Sequence, residues 1–290
     1  MKLVVTGALG QAGSWHVDHF ANEGHEVLAI DLHRPSGTKE NVQFRPGDVT
    51  EYGEILELIL DADPDAVIHF AGLRSDRGAG NEIFRTNVQG TYNVLDAAGR
   101  TGADVVWASS EAAYGRLFAD NPLEYLPIDE SHPTRPRRPY GTSKLLGEEA
   151  GRAIARRYDI SVASMRATYI RYPGEYWGET VQSDDVEISN TKNLWGYVDI
   201  RDVISFTESA LAANLDGHEA FNVSASDNRA GAPTEEIVKA VYGELPDQCN
   251  ITGEESVFSL DKAQDRLDWT PEHEWRTAAT EPSTTPPFLQ

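Results

Sequence analysis

Apolar residues arrive in short runs along this chain, and most runs are followed by a stretch with helical spacing. Lys2–Thr6 reads as a buried strand centred on Leu3, Val4 and Val5, and Trp15, Val17 and Phe20 then mark a helix that stops at Gly24. Glu26–Asp31 and Val42–Arg45 predict the second and third strands, and Ile55, Leu56, Ile59 and Leu60 an amphipathic helix after them. A strand over Asp65–Ala71, a helix over Asn87–Ala98 and a strand over Asp104–Ser109 follow. A long helix over Tyr140–Tyr158 and a sixth strand over Ile160–Met165 complete the run. Strands alternating with helices of this length predict βαβ units, one parallel sheet and right-handed crossovers.

The periodicity weakens after Arg166. A loop rich in tyrosine and charge, Tyr169–Asn193, leads to Tyr197-Val198-Asp199 and a helix through Val203–Ala213. A short strand, Phe221-Asn222-Val223, and a helix over Thr234–Tyr242 come next, and the three prolines of Glu281–Gln290 predict an irregular, frayed tail. No repeat and no low-complexity linker divides the chain. The expected organisation is therefore interwoven: a first domain over 1–166 to which 198–225 returns, and a small lobe from 167–197 and 226–290.

Composition narrows this picture. A chain of 290 residues, 40% hydrophobic, suits one large α/β unit with a smaller appendage. No apolar run approaches the roughly 18 to 20 residues of a membrane span, and the first strand begins where a signal peptide would need its basic and apolar regions. The expectation is a soluble, cytoplasmic protein. A formal net charge of −22 argues against nucleic-acid binding, which needs positive charge facing phosphate. Only six of the 25 basic residues are lysine. An acid-rich, lysine-poor surface resembles that of a halophilic protein, whose self-repulsion is screened by concentrated salt, to a Debye length of about 3 Å at 1 M. The single cysteine, Cys249, excludes an internal disulfide framework. His, Cys and Asp do not cluster at metal-ligand spacing, so no metal is expected.

Two motifs carry chemistry. The first is Thr6-Gly7-Ala8-Leu9-Gly10-Gln11-Ala12-Gly13, a glycine-spaced turn between a strand and a helix. Glycines permit a tight turn and close approach of backbone N–H groups to phosphate, and the helix N-terminus adds a favourable field. Asp31 ends the second strand about 20 residues further on, where a carboxylate accepts the adenosine ribose hydroxyls and repels a 2′-phosphate. The cofactor expected is NAD rather than NADP, with Arg34 the one nearby residue that favours NADP. The second motif is Pro139-Tyr140-Gly141-Thr142-Ser143-Lys144 at a helix start. Tyr140 and Lys144 are four apart and share a helix face. An ammonium beside a phenol favours the phenolate, which takes or returns an alcohol proton while hydride moves to or from a nicotinamide. Ser109-Ser110-Glu111 closes the fifth strand at the carboxyl edge of the sheet, where Ser110 can hold the same substrate oxygen.

These motifs occur in order with Gly47-Asp48-Val49, His69-Phe70-Ala71-Gly72, Asn87-Val88-Gln89-Gly90-Thr91-Tyr92-Asn93-Val94-Leu95 and Tyr114-Gly115. Over roughly residues 1–225 the chain resembles an extended short-chain dehydrogenase/reductase of the NAD-dependent epimerase/dehydratase family. The resemblance implies a Rossmann-type, doubly wound parallel sheet with a small C-terminal substrate-binding lobe. It implies Ser110, Tyr140 and Lys144 as the catalytic set, with Tyr140 and Lys144 also touching the cofactor. Gly7, Gly10, Gln11, Ala12, Gly13 and Asp31 would hold the pyrophosphate and ribose, Asp48 and Val49 would flank the adenine, and Phe70, Ala71 and Gly72 would line the nicotinamide side. Asn87 would be a structural or cofactor-side residue. Family members often form homodimers through the helices that match Asn87–Ala98 and Tyr140–Tyr158.

The departures from the family bear on substrate. Dehydratase members carry Thr-Asp-Glu where this chain has Ser110-Glu111-Ala112, which argues against water elimination. Nucleotide-sugar epimerases usually place an asparagine three residues after the arginine matching Arg166, where this chain has Tyr169, and the segment from Arg166 to Val198 is short for a nucleotide diphosphate. Arg74, Arg77 and Arg171 lie in the expected substrate loops, where a guanidinium fork suits a carboxylate or phosphate; Ser75 and Glu111 complete the candidate substrate set. His69 reads as a packed strand-end histidine. Trp177, Trp195 and Tyr176 either stack on a sugar face or cover the core of the small lobe. Three functions remain open: an NAD-dependent dehydrogenase of a free sugar or sugar acid, a nucleotide-sugar 4-epimerase with tightly bound NAD, and a non-catalytic NAD-binding regulator.

Overall fold

The computed structural model describes residues 1–74, 79–115, 123–176, 193–213 and 215–289. Its strands are Lys2–Thr6 (β1), Glu26–Asp31 (β2), Val42–Pro46 (β3), Ala66–His69 (β4), Asp104–Ala108 (β5), Tyr125–Leu126 (β6), Val162–Ala167 (β7), Tyr169–Arg171 (β8), Tyr197–Asp199 (β9), His218–Val223 (β10) and Gln248–Cys249 (β11). The α-helices are Gln11–Asn22 (α1), Tyr52–Ala62 (α2), Gly80–Ile83 (α3), Gly90–Thr101 (α4), Pro139–Tyr158 (α5), Ile200–Ala212 (α6), Thr234–Tyr242 (α7), Asp261–Leu267 (α8) and Trp275–Ala278 (α9).

Seven strands form one parallel sheet in the order β10-β7-β5-β4-β1-β2-β3. The chain winds from β1 out to β3, then crosses back to β4 and on to β10. This is the doubly wound, Rossmann-type arrangement, with its reversal between β1 and β4. Helices cover both faces, so the central strands are continuous apolar runs; Leu3–Val5 and Ala66–Ile68 are fully buried. Under α2, α4 and α5 lies a core that includes Val4, Ile55, Val67, Leu95 and Trp107, while α6 and α8 bury Val106, Met165, Phe206 and Phe221 against the other face. Beyond the sheet, β6 pairs with β11 and β8 with β9. A separate cluster of Tyr114, Ile128, Trp195, Ile237, Val257 and Phe258 forms the core beside them. No helix among the described residues is long and apolar enough to cross a membrane.

Several segments differ from expectation: Tyr169–Arg171, expected within a loop, is strand β8 paired with β9. The fourth strand stops at His69 rather than Ala71, because Phe70 and Ala71 turn in against Gly7. The helix expected from Asn87 begins earlier, at Gly80, and passes through a π-helical turn over Phe84–Gln89 before α4. Within that turn the Asn87 amide accepts from Leu73 N at 2.7 Å and donates to Leu73 O at 2.9 Å, a reach into the β4 loop at the site of an irregular helical turn. The tail is not frayed at its aromatic residue. Phe288 is buried in the core with Leu3, Val5 and Phe20, 5.2 Å from the Phe44 ring. The prolines beside it limit helix formation, but an aromatic side chain still gains by leaving water.

Candidate active site

The cofactor end is built from backbone. Gly7 leaves β1 with φ of 69°, and a Cβ there would come within 2.5 Å of the Ala71 nitrogen. A Cβ on Gly13 would lie 2.1 Å from the Gly7 carbonyl oxygen, so the turn closes only with glycine at both places. Gly10 is the N-cap of α1 and no side chain caps that helix, leaving its positive end to an anion. Asp31 stands against the same turn. Its Oδ2 accepts from Leu9 N at 2.9 Å and its Oδ1 from Leu32 N at 2.7 Å. A compressed glycine turn, an uncapped helix start and an adjacent carboxylate fit a dinucleotide.

The other predicted cofactor residues follow the ends of neighbouring strands. Asp48 Oδ1 accepts from Thr50 N at 2.8 Å, and the Val49 carbonyl takes a 2.9 Å hydrogen bond from Asn93 of α4. Phe70 packs its ring 4.5 Å from that of His16 on α1, and Gly72 is exposed after β4. His69 is buried between two hydroxyls, with Nδ1 2.6 Å from Thr6 Oγ1 and Nε2 3.0 Å from Thr91 Oγ1. Burial, helped by the charge of Lys144, lowers its pKa to about 3 and keeps it neutral. It is the packed strand-end histidine that its position predicts.

The candidate catalytic end is built from side chains. Pro139 opens α5, where its fixed φ suits the first helical position, and Tyr140 and Lys144 follow one turn apart. Lys144 Nζ donates to the Ala108 carbonyl at 2.6 Å and stands 5.6 Å from the centre of the Tyr140 ring. Burial lowers its pKa from 10.5 to about 8. Ser110 leaves β5 and caps the 3-10 turn Glu111–Tyr114, its Oγ accepting from Ala112 N at 3.1 Å. That turn presses on α5, since a Cβ on Gly141 would meet the Ala112 carbonyl oxygen at 2.4 Å. Asn87 braces the same helix from the other side, donating to Ser143 Oγ at 3.1 Å, and Ser143 donates to the Tyr140 carbonyl at 2.7 Å. Asn87 thus ties the loop after β4 to the first turn of α5.

A sequence model of the NAD dependent epimerase/dehydratase family matches residues 3–224. The chain belongs to that family. It is an NAD-dependent enzyme of the extended short-chain dehydrogenase/reductase group. Among its relatives by sequence, the UDP-glucose 4-epimerase of Corynebacterium glutamicum is 28% identical over 313 residues, spanning 94% of this chain and 92% of that one. Among solved structures, MoeE5 in complex with UDP-glucuronic acid and NAD superposes with a TM-score of 0.73 at 23% identity, over 97% of each chain. A glucuronic acid dehydrogenase from Chromohalobacter salexigens superposes with a TM-score of 0.70 at 23% identity, over 99% of this chain and 91% of that one. These two superpositions establish the shared fold.

The candidate substrate residues scatter. The Arg74 guanidinium is exposed and donates to the Gln11 side-chain oxygen, so it lies over the glycine turn. Arg171 is buried on β8 with its guanidinium 4.3 Å above the Tyr169 ring. Glu111 is buried beside Ser110, and burial raises its pKa from 4.5 to about 8 against the opposing hydrogen bond from Asn193. Ser75, Arg77 and Trp177 lie outside the described residues. Trp195 and Tyr176 belong to cores: Arg229 stacks 4.9 Å over the Trp195 ring, and the Tyr176 hydroxyl donates to Asp199 Oδ2 at 2.6 Å. Among the described residues no group of three or more His, Cys, Asp or Glu is arranged to hold a metal ion. Sequence reasoning passed over Glu148. Its signal was present: Tyr140, Lys144 and Glu148 are successive members of one helix stripe.

Proposed function

We propose that this enzyme oxidises a hydroxyl of a free sugar or sugar acid, with net reduction of NAD. The observation that carries the reading is the Lys144 ammonium held by the end of β5 beside the Tyr140 ring, on a helix packed at Gly141 against the turn that Ser110 caps. NAD, when bound, supplies the hydride acceptor. Tyr140, as phenolate, accepts the hydroxyl proton, and Ser110 donates a hydrogen bond to the same oxygen as it becomes a carbonyl. Lys144 places positive charge next to the phenolate in a buried setting, where it acts more strongly than in water. Support for a free sugar comes from Tyr169, which occupies the usual asparagine position of nucleotide-sugar epimerases and carries Arg171 on its ring. The second reading, interconversion of a UDP-sugar, is supported by the relative in Corynebacterium glutamicum over 94% of this chain.

Purified protein with excess NAD, screened in molar salt against aldoses, uronates and UDP-sugars, separates the two. Steady NADH production with a free sugar supports the dehydrogenase; UDP-sugar interconversion without net NADH supports the epimerase. Tyr140→Phe should lower kcat by about 100- to 10,000-fold while NAD still binds. Near-normal turnover in that variant rejects the mechanism.

The segments 167–197 and 226–290 are proposed to supply the substrate lobe, and a second copy of the chain is proposed to dock on the outer helices. Phe84, Tyr92 and Leu146 are exposed there, and Phe84, Val88, Tyr92 and Ala150 line an apolar groove across Phe84–Gln89, α4 and α5. Sedimentation velocity should give a dimer for the wild type and a monomer for Tyr92→Arg; a monomeric wild type refutes the docking.

A further inference from the structure

Glu148 continues the stripe of α5 that bears Tyr140 and Lys144, and it is completely buried. Its carboxylate meets Arg166 of β7 as a two-pronged pair, Nε to Oε1 at 2.9 Å and Nη2 to Oε2 at 2.7 Å. The same Oε1 accepts from Ser109 Oγ at 2.6 Å. Burial pushes the Glu148 carboxyl upward, but its hydrogen bonds and the charge of Arg166 outweigh this and hold it ionised below the ordinary carboxylate range.

These contacts enclose the turn that Ser110 caps. Ser109 immediately precedes Ser110, and Tyr114 is the last residue of that turn. Arg166 Nη1 donates to the Tyr114 hydroxyl at 3.0 Å and to the Glu130 carbonyl at 3.2 Å. Its guanidinium also lies 4.7 Å over the Tyr114 ring. The Tyr114 hydroxyl in turn donates to Asn222 Oδ1 at 2.7 Å, and Asn222 Nδ2 donates to Ile128 O at 2.9 Å and Ser259 O at 3.1 Å. A single ion pair, rooted one helical turn beyond Lys144, therefore grips the Ser110 turn directly at its start and through Arg166 at its end.

We propose that Ser109, Glu148 and Arg166 are positioning residues that fix Ser110 relative to Tyr140 and Lys144. A buried ion pair adds little stability over apolar packing of the same volume. A bidentate fork does fix orientation, which apolar contacts leave loose. Reactive groups must be held to within a fraction of an ångström, and here both the acid–base helix and the serine turn are fastened to one carboxylate.

The proposal rests on Ser110, Tyr140 and Lys144 being the reacting set. Its test is a double-mutant cycle between Ser109→Ala and Ser110→Ala, scored with the substrate found in the NADH screen. Ser109→Ala leaves the Glu148–Arg166 pair intact, so it avoids the risk that Glu148→Gln does not fold. Ser109→Ala alone should lower kcat at least about tenfold with substrate KM and NAD affinity near wild type. In the Ser110→Ala background the same change should have no further effect, because nothing is left to position. Wild-type kcat in Ser109→Ala overturns the proposal. So does an additive loss in the double variant, or a fall in kcat matched by an equal fall in NAD affinity, which marks general disruption. A Tyr140→Phe variant that turns over normally removes the catalytic reading itself, and the proposal falls with it for that separate reason.

Discussion

The two ends of the site are made by opposite means. At the glycine turn the decisive contacts are backbone against backbone, Gly7 on Ala71 and Gly13 on Gly7, with the Asp31 side chain accepting from the Leu9 amide of the same turn. Along α5, at the end proposed to be catalytic, they are buried charges: Lys144, Glu148 and Arg166, with the buried, largely neutral Glu111 next to Ser110. A pyrophosphate is recognised by oriented amides and a helix field, which a glycine turn supplies without any particular side chain. Proton transfer needs charge placed at defined distances in a dry setting, and that requires side chains held by other side chains.

The largest effect is expected where backbone meets backbone. Gly13→Ala drives a Cβ to 2.1 Å from the Gly7 oxygen, and a clash with main chain should exceed the roughly 1–3 kcal/mol of ordinary overpacking. NAD affinity should then fall by more than about 100-fold, measured by calorimetric titration; wild-type affinity in that variant would show that the turn relaxes and that shape is not what this end depends on. Next is the core that α1 itself packs into, where Phe288 joins Val17 and Phe20. Phe288→Ala should cost about 3–5 kcal/mol in urea unfolding, as large aromatic truncations in cores do, and a loss under about 1 kcal/mol would mean the tail is only loosely laid on Phe44.

A pH-dependent effect sharpens the contrast at the charged end. Glu111 keeps its proton in the folded protein up to about pH 8, while its ordinary pKa is 4.5. The unfolded chain therefore releases this proton first, and the stability that the neutral carboxyl contributes is lost as pH rises from 4.5 to about 8. Glu111→Gln, which cannot ionise, should gain stability relative to wild type by roughly 1.4 kcal/mol per pH unit across that window and stay level above it. Urea midpoints of both proteins between pH 5 and pH 9 are the measurement, and parallel curves would contradict a neutral, buried Glu111.

Legibility along the sequence follows the same division. The glycine turn, Asp31, and the Tyr140–Lys144 pair were readable because each is local: a turn of eight residues, a strand end about 20 residues on, and one helical turn. Strand positions in the sheet were readable because strands buried on both faces must be apolar throughout. The burial of Glu148 was not readable, although its spacing from Lys144 was visible, because a glutamate on a helix is normally a solvated one. Only the approach of Arg166 and Ser109, 18 and 39 residues away, makes it a buried partner. Phe288 was hidden for a related reason: a proline-rich segment says where a helix cannot form, not whether its aromatic residue finds a groove.

By itself, then, the amino-acid sequence determined the parallel α/β class, the glycine turn between β1 and α1, and the helix that places Tyr140 and Lys144 one turn apart, since these follow from periodicity, glycine conformational freedom and residues within a turn or two of one another. Tertiary structure alone decided which charges lose water. It placed Arg166 on Glu148, left Glu111 neutral beside Ser110, drew His69 between Thr6 and Thr91, and folded Phe288 back under β3. Burial and charge pairing act through space between residues far apart in the chain, so their consequences appear only once the sheet has brought those residues together.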